Sequence, residues 1–280
     1  MREIEAKKIT ETVKDLCIQA NYEISDDVLE ALNKALKNER SRNGREILRQ
    51  LIKNADIAKK ERYPICQDTG LAIVFIEVGQ DVRITGGNLS EAINEGVSRG
   101  YSQGYLRKSV VGNPFIRKNT NDNTPAIIHT EIVPGEKIKI TFMAKGGGCE
   151  NVSRYHMFKP TANREEIVKF VLDTVDQAGA NPCPPVIIGI GIGGNQERSA
   201  LLAKKALLRE VGKFSSNKDT AAMEKDILTK VNKLGIGPEG LGGITTALAV
   251  HIETAPCHIA SLPVTVNIDC HAHRVKETVI

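Results

Sequence analysis

The stretch "VIIGIGIGG", residues 186–194, decides between two folds. Its first half is apolar and β-branched, as in a buried strand. Its second half is glycine-rich and runs into "NQERSALLAKKALLREVG", a helical pattern. A strand, a glycine turn and a helix N-terminus together can cradle the phosphates of a dinucleotide. That fingerprint belongs in a first βαβ unit, with an acid about 20 residues on at the end of a second strand. Here the helix is followed by "KFSSNKDT" (213–220), which supplies no such strand. The glycines are therefore read as permitting close packing or lining a substrate site. A nucleotide-binding module remains a rival, and a melting temperature that ATP and NAD fail to shift would remove it.

Working outward, helix and strand patterns alternate along the chain, which argues a mixed α/β (α+β) fold with mixed sheets flanked by helices. The N-terminal segment reads as helical: "IEAKKITETVKDLCIQA" sets Ala6, Ile9, Val13, Leu16, Cys17 and Ala20 on one face, so Cys17 is a core residue. "SDDVLEALNKALKN" follows, with Ser25 or Asp26 as N-cap and Val28, Leu29, Leu32 and Leu36 inward. "LAIVFIEVG" (71–79) fits a buried strand, and "LSEAINEGVSRGYSQGYL" a helix weakened by its glycines. "AIIHTEIV" and "KIKITFMA", joined by "PGE", predict a hairpin. "NREEIVKFVLDTVDQAG" predicts an amphipathic helix capped by Gly179. The chain reads as one domain over 1–280, and the polar break "KNTNDNTP" (118–125) is the best candidate for a subdomain boundary.

Composition removes several classes of function. Thirty-eight Lys and Arg against 34 Asp and Glu give a net charge of +4, too mild to argue for nucleic acid. Aromatic residues make up 4% and Trp is absent, so base-stacking platforms are not suggested. No run of 18 apolar residues exists, and "MREIEAKKITET" lacks the apolar core of a signal peptide. No membrane association is expected, and the localisation expected is cytoplasmic.

In that compartment the six cysteines, at 17, 66, 149, 183, 257 and 270, are not a disulfide framework. No CxxC pair occurs, which disfavours zinc ribbons and fingers. Cys66 in "RYPICQDTG", Cys183 in "NPCPP" and Cys270 after "VTVNID" each sit where an element meets a rigid turn. Taken singly, each reads first as a core thiol beside a turn, and spacing alone does not establish metal binding.

The ordered combination is more specific: "CQDTG", "KGGG", "CPPxxxxxxxGG", then a histidine twelve residues before a last cysteine. It resembles the iron–sulfur-dependent class I fumarate hydratases and the related L-tartrate dehydratases. The resemblance runs from about residue 60 to the C-terminus and covers the half corresponding to the α subunit of the two-subunit form. It implies an α subunit of a [4Fe–4S] hydro-lyase, most simply a fumarate hydratase, with L-tartrate dehydratase as the alternative. It further implies a β-subunit partner in an α₂β₂ assembly and a small dicarboxylate substrate. A redox or sensor protein built on the same cluster is the rival from another class.

Residue by residue, the resemblance implies that Cys66, Cys183 and Cys270 hold the cluster and leave one iron open. Asp68 would manage protons, beside the plainer reading of a loop carboxylate that caps the next turn. His258 in "PCHIASLP" would transfer a proton or fix the substrate hydroxyl. Gln67 and the backbone at Gly148 would contact substrate. Arg107, with Lys108 adjacent, would clamp a substrate carboxylate. Cys149 and Cys257 are expected as extra thiols near the site rather than ligands, and His271 and His273 as surface residues.

Overall fold

The computed structural model describes residues 1–280. The chain folds as two compact units, Met1–Ser25 with Ala55–Gly147 and Arg274–Ile280, and Asp26–Asn54 with Gly148–His273. The segment 118–125 lies inside the first unit.

In order along the chain, the elements are β1 (Arg2–Glu5), α1 (Ala6–Tyr22), α2 (Asp26–Asn38), α3 (Arg42–Glu61), β2 (Leu71–Gly79), β3 (Val82–Thr85) and α4 (Leu89–Gln103). Then come β4 (Ile127–Val133), β5 (Ile138–Lys145), α5 (Gly147–Glu150), β6 (Arg154–Phe158), α6 (Arg164–Ala178) and β7 (Val186–Gly193). The last are α7 (Gln196–Ala206), α8 (Lys218–Asn232), β8 (Ala247–Ala255), β9 (Leu262–Asp269) and β10 (Val275–Val279). This is the mixed α/β class that the alternation predicts.

The first unit is built on a four-stranded sheet in the order β10-β5-β2-β4. All six residues of the predicted α1 face are buried, and they join β2, β5 and α4 in one core. The glycines of α4 do not weaken it in context. A Cβ at Gly96 would lie 2.7 Å from the Thr10 carbonyl oxygen, and one at Gly100 2.7 Å from Cys17 Cβ, so they let α1 and α4 approach closely. The N-terminus departs from an all-helical reading. Arg2–Glu5 pairs in parallel with β3, a strand too short to carry a pattern.

The predicted hairpin does not form. β4 pairs in parallel with β2, and β5 pairs antiparallel with β2's other edge. The "PGE" turn therefore spans the end of an intervening strand. Gly79 makes room for it, since a Cβ there would lie 2.3 Å from the Gly135 carbonyl oxygen. Gln80 and Asp81 N–H groups bond the Val133 and Gly135 carbonyls, which tie the turn down.

The second unit's sheet runs β6-β9-β7-β8. β7 is "VIIGIGIG", and its period of two answers the opening stretch. Val186, Ile188 and Ile190 enter a core with α6 and α8. Gly189 and Gly191 turn to the other face, where α7 packs. Cβ atoms there would lie 2.2 Å from the Ala203 carbonyl oxygen and 2.0 Å from that of Ser199. The glycines thus serve close packing of helix on strand. α6 ends on Gly179 in a positive-φ conformation, as its sequence predicts, and Asn163 caps its start by accepting from Glu166 N–H.

Candidate functional site

Cys66 sits half-buried in a loop of the first unit that hydrogen bonds to its main chain and side chains immobilise. Ile65 N–H donates to the Asn21 carbonyl at 2.8 Å, and Thr69 Oγ1 donates to the Arg107 carbonyl at 2.7 Å. The fully buried Tyr101 hydroxyl lies 2.7 Å from the Thr69 carbonyl oxygen and 3.1 Å from that of Gly70. Gly70 has φ +73°, and a Cβ there would lie 2.7 Å from the Lys145 carbonyl, so only glycine fits this turn.

Asp68 does cap its turn, and it does more. Oδ1 accepts from Gly70 N–H at 3.0 Å, while Oδ2 accepts from Gly147 N–H at 2.8 Å, drawing the "KGGG" segment onto the loop. The Arg274 guanidinium donates to the Asp68 carbonyl oxygen. Arg274 is 1% exposed and Lys145 2%, so this unit carries two buried cations that sequence reading passed over. A buried cation is costly unless compensated, and "HR" and "KG" at loop edges were the available signals. Gln67 and Arg107 are exposed.

The second unit gathers a different constellation. Cys183 is exposed, with φ +52°, a left-handed conformation that costs a non-glycine residue energy and recurs at ligand clamps. Its turn lies against α5: a Cβ at Gly148 would lie 3.5 Å from the Asn181 carbonyl oxygen, and Cys149 Sγ is 3.5 Å from that of Pro182. His271 Nδ1 is 3.0 Å from the Cys183 carbonyl oxygen and 3.2 Å from Glu239 Oε1. The two predicted ligand loops at Cys183 and Cys270 therefore touch. Glu239 belongs to a glycine-rich loop that the buried Glu39 carboxylate holds by accepting from Ile244 and Thr245 N–H groups. Burial works to raise the Glu39 pKa, but these backbone donors, with those of Arg40 and Ser41, lower it on balance.

His271 and His273 are not the surface residues expected. Their side chains are 14% and 4% exposed. Both were misread because a polar residue beside a turn looks solvated when its partners, Glu239 and Asp269, are unknown. Burial pulls the His271 pKa down, but Glu239, Cys270 and the Cys183 carbonyl outweigh it and raise it. Cys149 is buried, and its sulfur lies within 4.8 Å of Cys270 Sγ and an Asp269 carboxylate oxygen.

His258 stands elsewhere in the second unit. It lies in the exposed β8–β9 connection, where Nδ1 accepts from Ala260 N–H at 3.1 Å. Cys270 follows the opposite end of the eight-residue β9, and eight extended residues span about 26 Å. Twelve positions in sequence here become separation rather than proximity. Cys257 is exposed in the same connection, and Cys17 is buried in the first core, where burial pushes its thiol pKa well up.

Thiols at turns and at a strand end, Cys66 in the first unit and Cys183 and Cys270 in the second, are the kind of soft donor that an iron–sulfur group takes. Known sequences point the same way. The profile of the family described as Fumarate hydratase (Fumerase) matches residues 10–279. A Methanocaldococcus jannaschii protein with the provisional name L(+)-tartrate dehydratase subunit alpha is 42% identical over 273 residues, 95% of each chain. L(+)-tartrate dehydratase subunit alpha of Escherichia coli UTI89 is 33% identical over 271 residues, 95% of this chain and 89% of that one. The K12 protein of that name is 32% identical over 270 residues, with the same coverage. The chain belongs to the class I fumarate hydratase and L-tartrate dehydratase family of iron–sulfur hydro-lyases, in its α-subunit form. The match reaches back through the N-terminal helices, well before the motifs at residue 60. No helix is long and apolar enough to cross a membrane.

Proposed function

We propose that the chain is the α subunit of a [4Fe–4S] hydro-lyase that dehydrates L-tartrate, working with a β subunit. The observation that carries the substrate is the similarity, over 95% of this chain, to proteins named as tartrate dehydratase α subunits. Sequence reading alone put fumarate first and tartrate second, and these relatives reverse that order. Fumarate stays as the second reading because the family description bears its name.

In this reading Cys66, Cys183 and Cys270 hold the cluster. When bound, it would supply a Lewis-acidic iron without a protein thiolate, which polarises a substrate hydroxyl. The chain's own residues do the rest. Dehydration removes a proton from one carbon and hydroxide from its neighbour. Asp68, two residues from Cys66, is the proton acceptor we assign, and the Gly70 and Gly147 N–H groups fix the orientation of its carboxylate. Arg107 presents a planar fork to one substrate carboxylate, and Gln67 and the Gly148 backbone complete the contacts. His258 remains as a second proton-handling residue, which its exposed position allows only from outside the Cys183–Cys270 constellation.

A partner subunit is supported by the relatives' names and by surface chemistry. Tyr105, Phe115 and Ile116, on the connection that also carries Arg107, are 89%, 92% and 77% exposed. Aromatic and aliphatic side chains this exposed are available for a partner to bury. The stoichiometry proposed is α₂β₂. The test is to reconstitute the chain anaerobically with its β subunit and measure kcat/KM for L-tartrate, fumarate and L-malate. A clear preference for tartrate is expected. Faster turnover of fumarate would restore the second reading, and a cluster that cycles by one electron without dehydrating either would leave a redox protein.

A further inference from the structure

We propose that the second unit also holds a site for one divalent ion of borderline softness, made by Cys149, Asp269 and Cys270, which the chain fills when it lacks its cluster. The two thiol sulfurs and a carboxylate oxygen all lie within 4.8 Å of one another. The three residues are 5%, 1% and 7% exposed. In a tetrahedral site with metal–sulfur bonds of about 2.3 Å, donors lie about 3.8 Å apart, so small side-chain rotations bring this set into range. Two thiolates and a carboxylate suit zinc, ferrous iron or cobalt better than calcium or magnesium, with a water completing four ligands.

The set is also supported from behind. His273 Nδ1 is 2.6 Å from Asp269 Oδ2, and His273 is 4% exposed. A buried imidazole bonded to a ligating carboxylate fixes its direction as outer partners of metal sites do. Asp269 and Cys270 are consecutive at the end of β9, while Cys149 comes from α5, whose backbone lies against the Cys183 turn. Neither Cys149 nor Asp269 has a part in the dehydration. Binding would displace the two thiol protons to solvent and leave no net redox change. Because Cys270 is also a proposed cluster ligand, ion and cluster exclude one another. That exclusion rests on the hydro-lyase reading, and the ion site itself does not.

The full chain, purified anaerobically and free of metal, should bind one Co²⁺ with an intense near-ultraviolet sulfur-to-cobalt band that Zn²⁺ abolishes. Cys149→Ser and Asp269→Asn should each weaken binding about tenfold or more, and Cys257→Ser should not change it. A Cys149→Ser chain that titrates like the parent overturns the proposal. Since buried substitutions can unfold a protein, X-ray absorption on the zinc-loaded parent supplies the second reading. Two sulfurs at about 2.3 Å, with oxygen or nitrogen in the remaining positions, are expected. Three sulfurs, or none, would overturn the site. A chain that binds cobalt this way yet never builds an iron–sulfur chromophore would sink the cluster reading and leave this site standing. The reverse pattern would sink this site alone.

Discussion

The two units hold their cysteines by different means. In the first, side chains grip the main chain of the Cys66 loop: Asp68 accepts two backbone N–H groups, and Tyr101 and Arg274 donate to loop carbonyls. In the second, side chains also hold one another. His271 reaches from Glu239 to the Cys183 carbonyl, and His273 buttresses Asp269 beside two thiols. Main-chain grips fix the loop through a few residues, Asp68, Gly70, Tyr101 and Arg274, whereas the side-chain pairs His271–Glu239 and His273–Asp269 depend on the chemistry of both members. The first arrangement should therefore tolerate change at loop positions outside those grips, and the second should not tolerate change in either member of a pair.

The largest effects should come from the thiols. Cys66→Ser, Cys183→Ser and Cys270→Ser should each remove most of the visible iron–sulfur absorption after anaerobic reconstitution, while Cys17→Ser leaves it intact. Full absorption in any one of the three would take that residue out of the ligand set. Next come the proton-handling residues. Asp68→Asn should keep the absorption and lose about 10²–10⁴ in kcat, the usual scale for general acid–base groups. His258→Asn carries the same expectation, and near-parent turnover would return His258 to a loop residue.

How much of this was readable beforehand divides along the same line. The Cys66 loop was legible because proline, glycine and an acid at short range encode a turn directly, and "PICQDTG" carries them in seven residues. The contacts of His271 and His273 were not legible, since Glu239 is 32 residues before His271 and becomes its partner only through the fold. The hairpin failed for a related reason. "PGE" signals a turn but not whether a third strand lies between its arms, and β2 does. His258 differs again: the resemblance implies its role, while its place in the β8–β9 connection, at the other end of β9 from Cys270, is set by a strand that the spacing does not reveal.

Two smaller effects sharpen the contrast in the second unit. His251 is 1% exposed, and burial, with the nearby Arg209 and His273, lowers its pKa to about 4 against the hydrogen bond to the Ala206 carbonyl. A folded-state pKa below the unfolded value of about 6.5 means stability is full above pH 6.5 and falls as His251 is forced to charge. A loss of about 3 kcal/mol is expected between pH 6.5 and 4, at about 1.36 kcal/mol per pKa unit. Denaturant melts of the parent and His251→Gln should diverge across that window, and parallel curves would refute the assignment. Gly191→Ala should cost about 1–3 kcal/mol by driving a methyl into the Ser199 carbonyl. Gly148→Ala, with only an ordinary contact to Asn181, should cost less than about 0.5 kcal/mol. Equal midpoints for the two variants would contradict the packing role given to the β7 glycines.

The central claim is that this chain carries the iron–sulfur ligands but only part of the catalytic surface. It is tested most directly by reconstituting the isolated chain with iron and sulfide under anaerobic conditions and assaying it before and after adding the β subunit. A brown protein with about four iron per chain, inactive toward L-tartrate and fumarate alone and active once the partner is added, is the result predicted. A chain that dehydrates either substrate at full rate by itself, or one that stays colourless with the partner present, would contradict it.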